Sequence, residues 1–183
     1  MPRVHTIQNN RKAQKCMKCS SEIAPGEGYR HWTFRYGGKV TRCLKCPSPR
    51  PSELTQSGYL QQLYGAQEVL EDNLDNIGDD ISPEDAAEAI ASFLDDVKQT
   101  AEDVKSEYED ALGEWEHGNS MLEEKVETVE AWIDCLDSAE DEVRSMEPDI
   151  SDDMSDEEKA EANEQVIEDM REAARNAAYE LEM

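Results

Sequence analysis

The chain has 183 residues, 44 Asp and Glu against 18 Lys and Arg, and a formal net charge of −26 at pH 7. No apolar run approaches the ~20 residues that span a bilayer, and the opening residues, MPRVHTIQNNRK, lack the apolar segment of a secretory signal. The expectation is therefore a protein kept in cytoplasm without membrane contact. With two Phe and three Trp in the whole chain, a large globular core is excluded and elongated helices, which need less, are favoured.

Charge divides the sequence near Pro51. Residues 1–51 carry eleven Lys and Arg against two acids, Glu22 and Glu27, for +9, whereas residues 52–183 sum to −35. A head so basic attracts phosphate backbones, because neutralised phosphates release counterions. The acidic remainder repels nucleic acid, and reads first as the solvated surface of long helices.

In chain order, residues 1–14 are basic, with Arg3, Arg11 and Lys12, and show no periodicity, which predicts a flexible basic arm. Residues 15–51 contain CMKC and CLKC. Two Cys-x-x-Cys pairs at this separation supply the four thiolates of a closed tetrahedral zinc site, with Cys16, Cys19, Cys43 and Cys46 as ligands and Zn2+ as the cofactor. Four thiolates leave no open position for activating water, so the metal reads as structural. His5 and His31 are spare donors that such a site does not need. Five cysteines, four of them at metal spacing, suit a reducing compartment, and Cys135 remains as a small packing residue.

Between the pairs, Pro25-Gly26-Glu27-Gly28 reads as a turn. The run YRHWTFRY then alternates Trp32, Phe34 and Tyr36 with His31, Thr33 and Arg35, as a strand does. Gly37-Gly38 predicts a two-residue hairpin turn with positive dihedral angles, and KVTR returns to Cys43. Knuckle, hairpin and second knuckle fit a zinc ribbon or a treble clef. Pro47, Pro49 and Pro51 impose an extended connector after the second pair, which favours the ribbon. The aromatic face is expected to cover the metal site. Arg11, Lys12, Arg30, Arg35, Lys39 and Arg42 are the candidate phosphate contacts, and single-strand binders combine such cations with stacking rings.

From residue 52 the period turns helical. Residues 52–80 predict a connecting helix with Leu60, Leu63, Leu70, Leu74 and Ile77 roughly on one face. Ser82-Pro83-Glu84-Asp85 is a strong helix start, and Ile90, Leu94, Val97, Ala101, Val104, Tyr108, Ala111 and Trp115 recur by fours and threes, a coiled-coil seam. After Gly118-Asn119, Ser120 and Glu123 form a capping box, and Leu122, Val126, Val129, Ile133, Leu136 and Val143 resume the rhythm, with Glu140 in one slot and Trp132 beside it. Residues 81–147 thus predict an antiparallel coiled-coil hairpin. A linker and a last helix, capped by Ser155 and Glu158 and faced with alanines from Ala160, fill 148–183. The fold class is mainly α behind a small zinc-stapled β-hairpin module.

At CMKCSSEIAPGEGYRHW and GGKVTRCLKC the pattern loosely resembles the first half of zinc fingers of the poly(ADP-ribose) polymerase and LIM types. Those take a His in their second half where this chain has Cys43 and Cys46, so their roles do not carry over. The run from Gly26 through PRPSELTQSGYLQQLYGAQE, with acidic helices behind it, resembles uncharacterised small bacteriophage proteins, which implies host cytoplasm or a virion as its setting. No Ser-His-Asp arrangement, phosphate-cradling glycine loop or Walker motif is present. The expectation is a non-enzymatic adaptor, its head on nucleic acid or a nucleic-acid enzyme and its helices on a protein partner or a second copy. The alternatives are an acidic decoy that occupies a host nucleic-acid-binding protein, and a structural component of a virion or assembly.

Overall fold

The computed structural model describes residues 1–78, 81–115, 118–151 and 153–181. The chain divides into two compact units, Met1–Gln61 and Gln62–Met183. It is mainly helical, with a small β region confined to the first unit.

In that unit β1 (His5–Ile7), β4 (Tyr29–Thr33) and β5 (Lys39–Cys43) form an antiparallel sheet in the order β1-β4-β5, and β2 (Gln14–Lys15) pairs with β3 (Glu22–Ile23). The arm expected to be flexible is thus corrected in part. His5 faces His31 and Ile7 faces Tyr29 across β1 and β4, because an edge left bare on β4 is satisfied by any extended neighbour. Asn10, buried at 7 % exposure, then ties the arm to the turn after β3. Its backbone N–H donates to the Glu27 carbonyl at 3.0 Å, and its own carbonyl accepts from Gly26 at 2.8 Å.

The Pro25-Gly26 turn is as expected, with Gly26 at φ +92° and Glu27 N–H donating to the Ala24 carbonyl at 3.1 Å. That is a type II turn, whose third position calls for glycine. The hairpin turn differs from expectation. β4 ends at Thr33, paired with Lys39, so residues 34–38 form a longer loop in which neither Gly37 nor Gly38 takes a positive φ. Phe34 is half-buried and Tyr36 is 84 % exposed. Trp32 alone of the three aromatics is core.

The connecting helix expected over 52–80 is two elements. A 3-10 turn, Pro51–Leu54, precedes α1 (Gly58–Asp75), and Pro51 sits at the start of that turn, where its missing N–H costs nothing. In the second unit α2 (Pro83–Gly113) begins at an Ser82 cap whose Oγ accepts from Asp85 N–H at 3.1 Å. α3 (Ser120–Ser145) is capped by Asn119, which accepts from Met121 and Leu122, so the cap stands one residue before the expected Ser120. Asn is among the residues preferred at this position. α4 (Asp156–Tyr179) has the expected Ser155–Glu158 box. Asp152, in the linker before it, lies outside the described residues.

Ion pairs give the direction of α3 against α2. Lys98 meets Asp137 at 2.9 Å and Glu140 at 3.2 Å, and Lys105 meets Glu130 at 2.7 Å, so residue numbers fall along one helix as they rise along the other. Ile90, Leu94, Val97, Ala101, Val104 and Tyr108 are buried as the periodicity requires, but Trp115 lies past the end of α2 and is 57 % exposed. Glu140, the odd acid in the expected seam, is 9 % exposed and held between Lys98 and Arg144. α4 packs on this pair. The Trp132 indole N–H donates to the Ala177 carbonyl at 2.9 Å, and Val166, Ile167, Met170 and Ala174 are buried while Ala160 is exposed. α1 is held to α4 by the Gln67 amide on the Ala178 carbonyl and by Arg175 on Glu71 and Asp75.

Candidate metal centre

The first unit brings its two cysteine pairs together. One Sγ from each of Cys16, Cys19, Cys43 and Cys46 lies within 4.8 Å of the others. The separations Cys16–Cys46, Cys19–Cys43 and Cys43–Cys46 are 3.9, 3.7 and 3.6 Å. A tetrahedral ion with metal–sulfur bonds of ~2.3 Å requires S···S edges of ~3.8 Å. The donor set and its spacing therefore fit a metal ion held by four thiolates.

Local structure builds each knuckle. In the first, Cys16 N–H donates to the Ser21 carbonyl at 2.8 Å and Ser20 N–H to the Cys16 carbonyl at 2.9 Å. This closed turn sets Ser20 at φ 62°, a conformation that side chains other than glycine enter at a cost. Met17 N–H donates to the Thr41 carbonyl at 2.8 Å, which moors the knuckle to β5. In the second, Cys43 ends β5, and Cys46 N–H donates back to the Cys43 carbonyl at 3.3 Å. Cys16 and Cys43 are buried, Cys19 is exposed and Cys46 half-buried, so the cluster has a protein side and a solvent side. Ile23 and Tyr29 are buried against it, with Ile7 from β1.

The thiols divide their protons unevenly. Burial pushes the Cys16 thiol up, but the amides of Cys19, Cys43 and Lys18 outweigh it together and bring the group down to about 6. The Cys43 N–H lies 3.3 Å from the Cys16 sulfur. Cys46 is pushed up to about 12, first by its contact with Cys19, then by Cys43 and by burial. Four sulfurs this close cannot all carry negative charge unless a cation shares the space, and a dication exchanges for their protons.

The histidines stand apart from this cluster. His5 and His31 stack with ring centroids 5.4 Å apart, and burial, followed by Lys39 and His5, holds His31 below the usual imidazole range.

The six candidate phosphate contacts fall into two groups. Arg11, Lys12, Arg35 and Lys39 are exposed, with Arg35 over the Tyr36 ring at 5.3 Å and Lys39 over Tyr29 at 5.2 Å. Arg30 is half-buried and donates to the Cys46 carbonyl at 3.0 Å. Arg42 is a correction. It is 4 % exposed, donates to both carboxylate oxygens of Glu53 at 3.0 and 2.6 Å and to the Pro47 carbonyl at 3.3 Å, and lies 5.4 Å over the Trp32 ring. A guanidinium so enclosed holds the module together and has no face left for a phosphate.

Sequence reasoning missed Asn10 and Glu53. Glu53 lay in the stretch assigned to the connecting helix, yet its side chain also takes Lys18 at 2.9 Å and closes the 3-10 turn through Arg50 N–H at 3.1 Å. The available signal was its place as the first acid after a strongly basic stretch. Asn10 had none beyond its type.

No protein-family model matches this chain, and neither a curated protein nor a solved structure does. Among the described residues, no helix is long and apolar enough to cross a membrane.

Proposed function

We propose that this protein is a non-enzymatic adaptor with a zinc-stapled basic head and an acidic helical body. The observation that carries the reading is the four-sulfur cluster inside a unit where eleven Lys and Arg face three acids, Glu22, Glu27 and Glu53. Zinc is the metal of choice for four thiolates at tetrahedral spacing, and structural sites of this kind contribute folding energy outright. The head then has the form of a zinc ribbon, with its hairpin between the knuckles. Its exposed cations, Arg11, Lys12 and Arg35 foremost, contact the phosphates of nucleic acid, since all three side chains lie open to solvent. The acidic body, built on an antiparallel α2–α3 coiled-coil hairpin, docks a protein. The resemblance to bacteriophage proteins supports a host cell or a virion as the setting in which both partners are met.

The test is fluorescence anisotropy of a labelled oligonucleotide titrated with zinc-loaded full-length protein across a range of salt. The reading requires binding that weakens steeply with salt, and a weaker salt dependence after Arg11→Gln, Lys12→Gln and Arg35→Gln, with affinity lowered about tenfold or more. Equal binding by the triple variant would rule the head out as the contact surface. Lys39 is left unaltered because its ammonium lies against the buried Tyr29 ring.

A further inference from the structure

An apolar groove of about 300 Å³ runs between α1 and α2. Gly65, Ala66 and Val69 form one wall and Phe93, Asp96 and Val97 the other, so both walls repeat at helical spacing. From Gln62 to Asn73 the α1 wall extends ~16 Å, about three helical turns. Val69 is 58 % exposed, and Phe93 is half-buried.

Gly65 is the observation that the fold by itself does not explain. It sits inside α1, where glycine costs about 1 kcal/mol relative to alanine. A Cβ added there would meet nothing within 4 Å among the described residues, so no described neighbour requires its absence. The one thing a missing side chain gains at that point is close approach by something outside the described structure.

We infer that the groove between α1 and α2 docks an amphipathic helix of a partner protein, with an apolar face for the groove and a basic face for its surroundings. Charge argues for the basic face. The groove's lining holds Asp96 and no Lys or Arg, and the unit around it, residues 62–183, carries −34. A second copy of this acidic unit would meet that repulsion, whereas a lysine-bearing helix is drawn in. The apolar anchors of such a helix, spaced at i, i+3 and i+7, match the wall spacing. This deepens the docking half of the adaptor reading and rests on it.

The probe is a labelled synthetic helical peptide of roughly 18 residues with leucines on one face and lysines on the other. A companion peptide has serine for leucine. Binding to full-length protein is read by anisotropy at physiological ionic strength. The Cβ of Gly65→Leu meets no described neighbour and the rest of the side chain enters the groove, so the variant should gain helix propensity and melt about 3 °C higher than wild type while binding the leucine peptide at least tenfold more weakly. Val69→Ser, at an exposed position, should lose several-fold. Wild-type protein should prefer the leucine peptide to the serine peptide. Equal binding by wild type and both variants would overturn the groove while leaving the body as a docking element elsewhere on its surface. A wild-type dimer that Gly65→Leu dissociates would overturn it in favour of a second copy as occupant. The oligonucleotide titration of the head is a separate readout, so either half of the adaptor can fail alone.

Discussion

Arg42 and Glu53 meet as a two-pronged pair, Nη2 donating to Oε1 at 2.6 Å and Nη1 to Oε2 at 3.0 Å. This pair fastens the 3-10 turn Pro51–Leu54 to β5, the strand that carries Cys43. It ties Glu53 to the first compact unit, which extends beyond the composition boundary near Pro51 to Gln61. The basic stretch and the first residues of the acidic one belong to a single folded unit.

Arg42→Ala leaves Glu53 without its main partner and opens a gap over Trp32. Destabilisation on the order of 3 kcal/mol is expected for removing one member of such a pair. Arg42→Lys should recover little of this, because an ammonium cannot donate to both carboxylate oxygens from one plane. Chemical denaturation of the zinc-loaded protein, followed by Trp fluorescence, measures both.

The same pair gives the head an acid-sensitive element. Arg42, then Lys18 and the Arg50 amide, hold the Glu53 carboxyl at about 2 against an ordinary 4.5. A folded value below the unfolded one adds stability that is complete above the unfolded value and is lost as pH falls through that window toward 2. Wild type should therefore lead Glu53→Gln in stability at neutral pH by a margin that shrinks below about pH 4.5. Both proteins carry the same four thiols, whose acid response cancels in the difference. A margin independent of pH would contradict this role for Glu53.

Ser20 holds φ at 62° in the first knuckle. Ser20→Gly removes the Cβ strain and should stabilise the zinc-loaded head by about 1 kcal/mol, whereas Ser20→Val should destabilise it. Competition for zinc against a chelator of known affinity would read both changes as opposite shifts.

Trp132 is 2 % exposed and its indole N–H donates to the Ala177 carbonyl at 2.9 Å. Trp132→Ala should cost about 4 kcal/mol, as large-to-small changes in a core do. The loss should appear first in α4. Hydrogen exchange should quicken along Val166–Ala178 before the α2–α3 pair is affected.

Much of this was legible in the residues. The cysteine spacing announced its cluster, and Ser82-Pro83 and Ser155–Glu158 announced two helix starts, because those signals are local and each residue acts on its own neighbours. What stayed hidden depends on distant partners. Trp132 read as standing beside the seam, since its carbonyl acceptor lies on another helix. Arg42 read as a phosphate contact, since only the folded chain brings Glu53 to it. Tyr36 read as part of an aromatic face, but strand alternation ends where pairing ends, at Thr33 and Lys39. His5–Ile7 carried no periodic signal of its own, and became a strand because β4 had an edge to cover.

The central claim is that Cys16, Cys19, Cys43 and Cys46 hold one zinc ion on which the head's fold depends. Native mass spectrometry of the full-length protein, before and after chelation, tests it directly when paired with circular dichroism on the same samples. The account predicts one zinc per chain, its loss on chelation or on Cys16→Ser with Cys43→Ser, and retention of most of the helical signal when the metal leaves. A chain that carries no metal after growth and purification with zinc, or whose metal persists in the double cysteine variant, would contradict it.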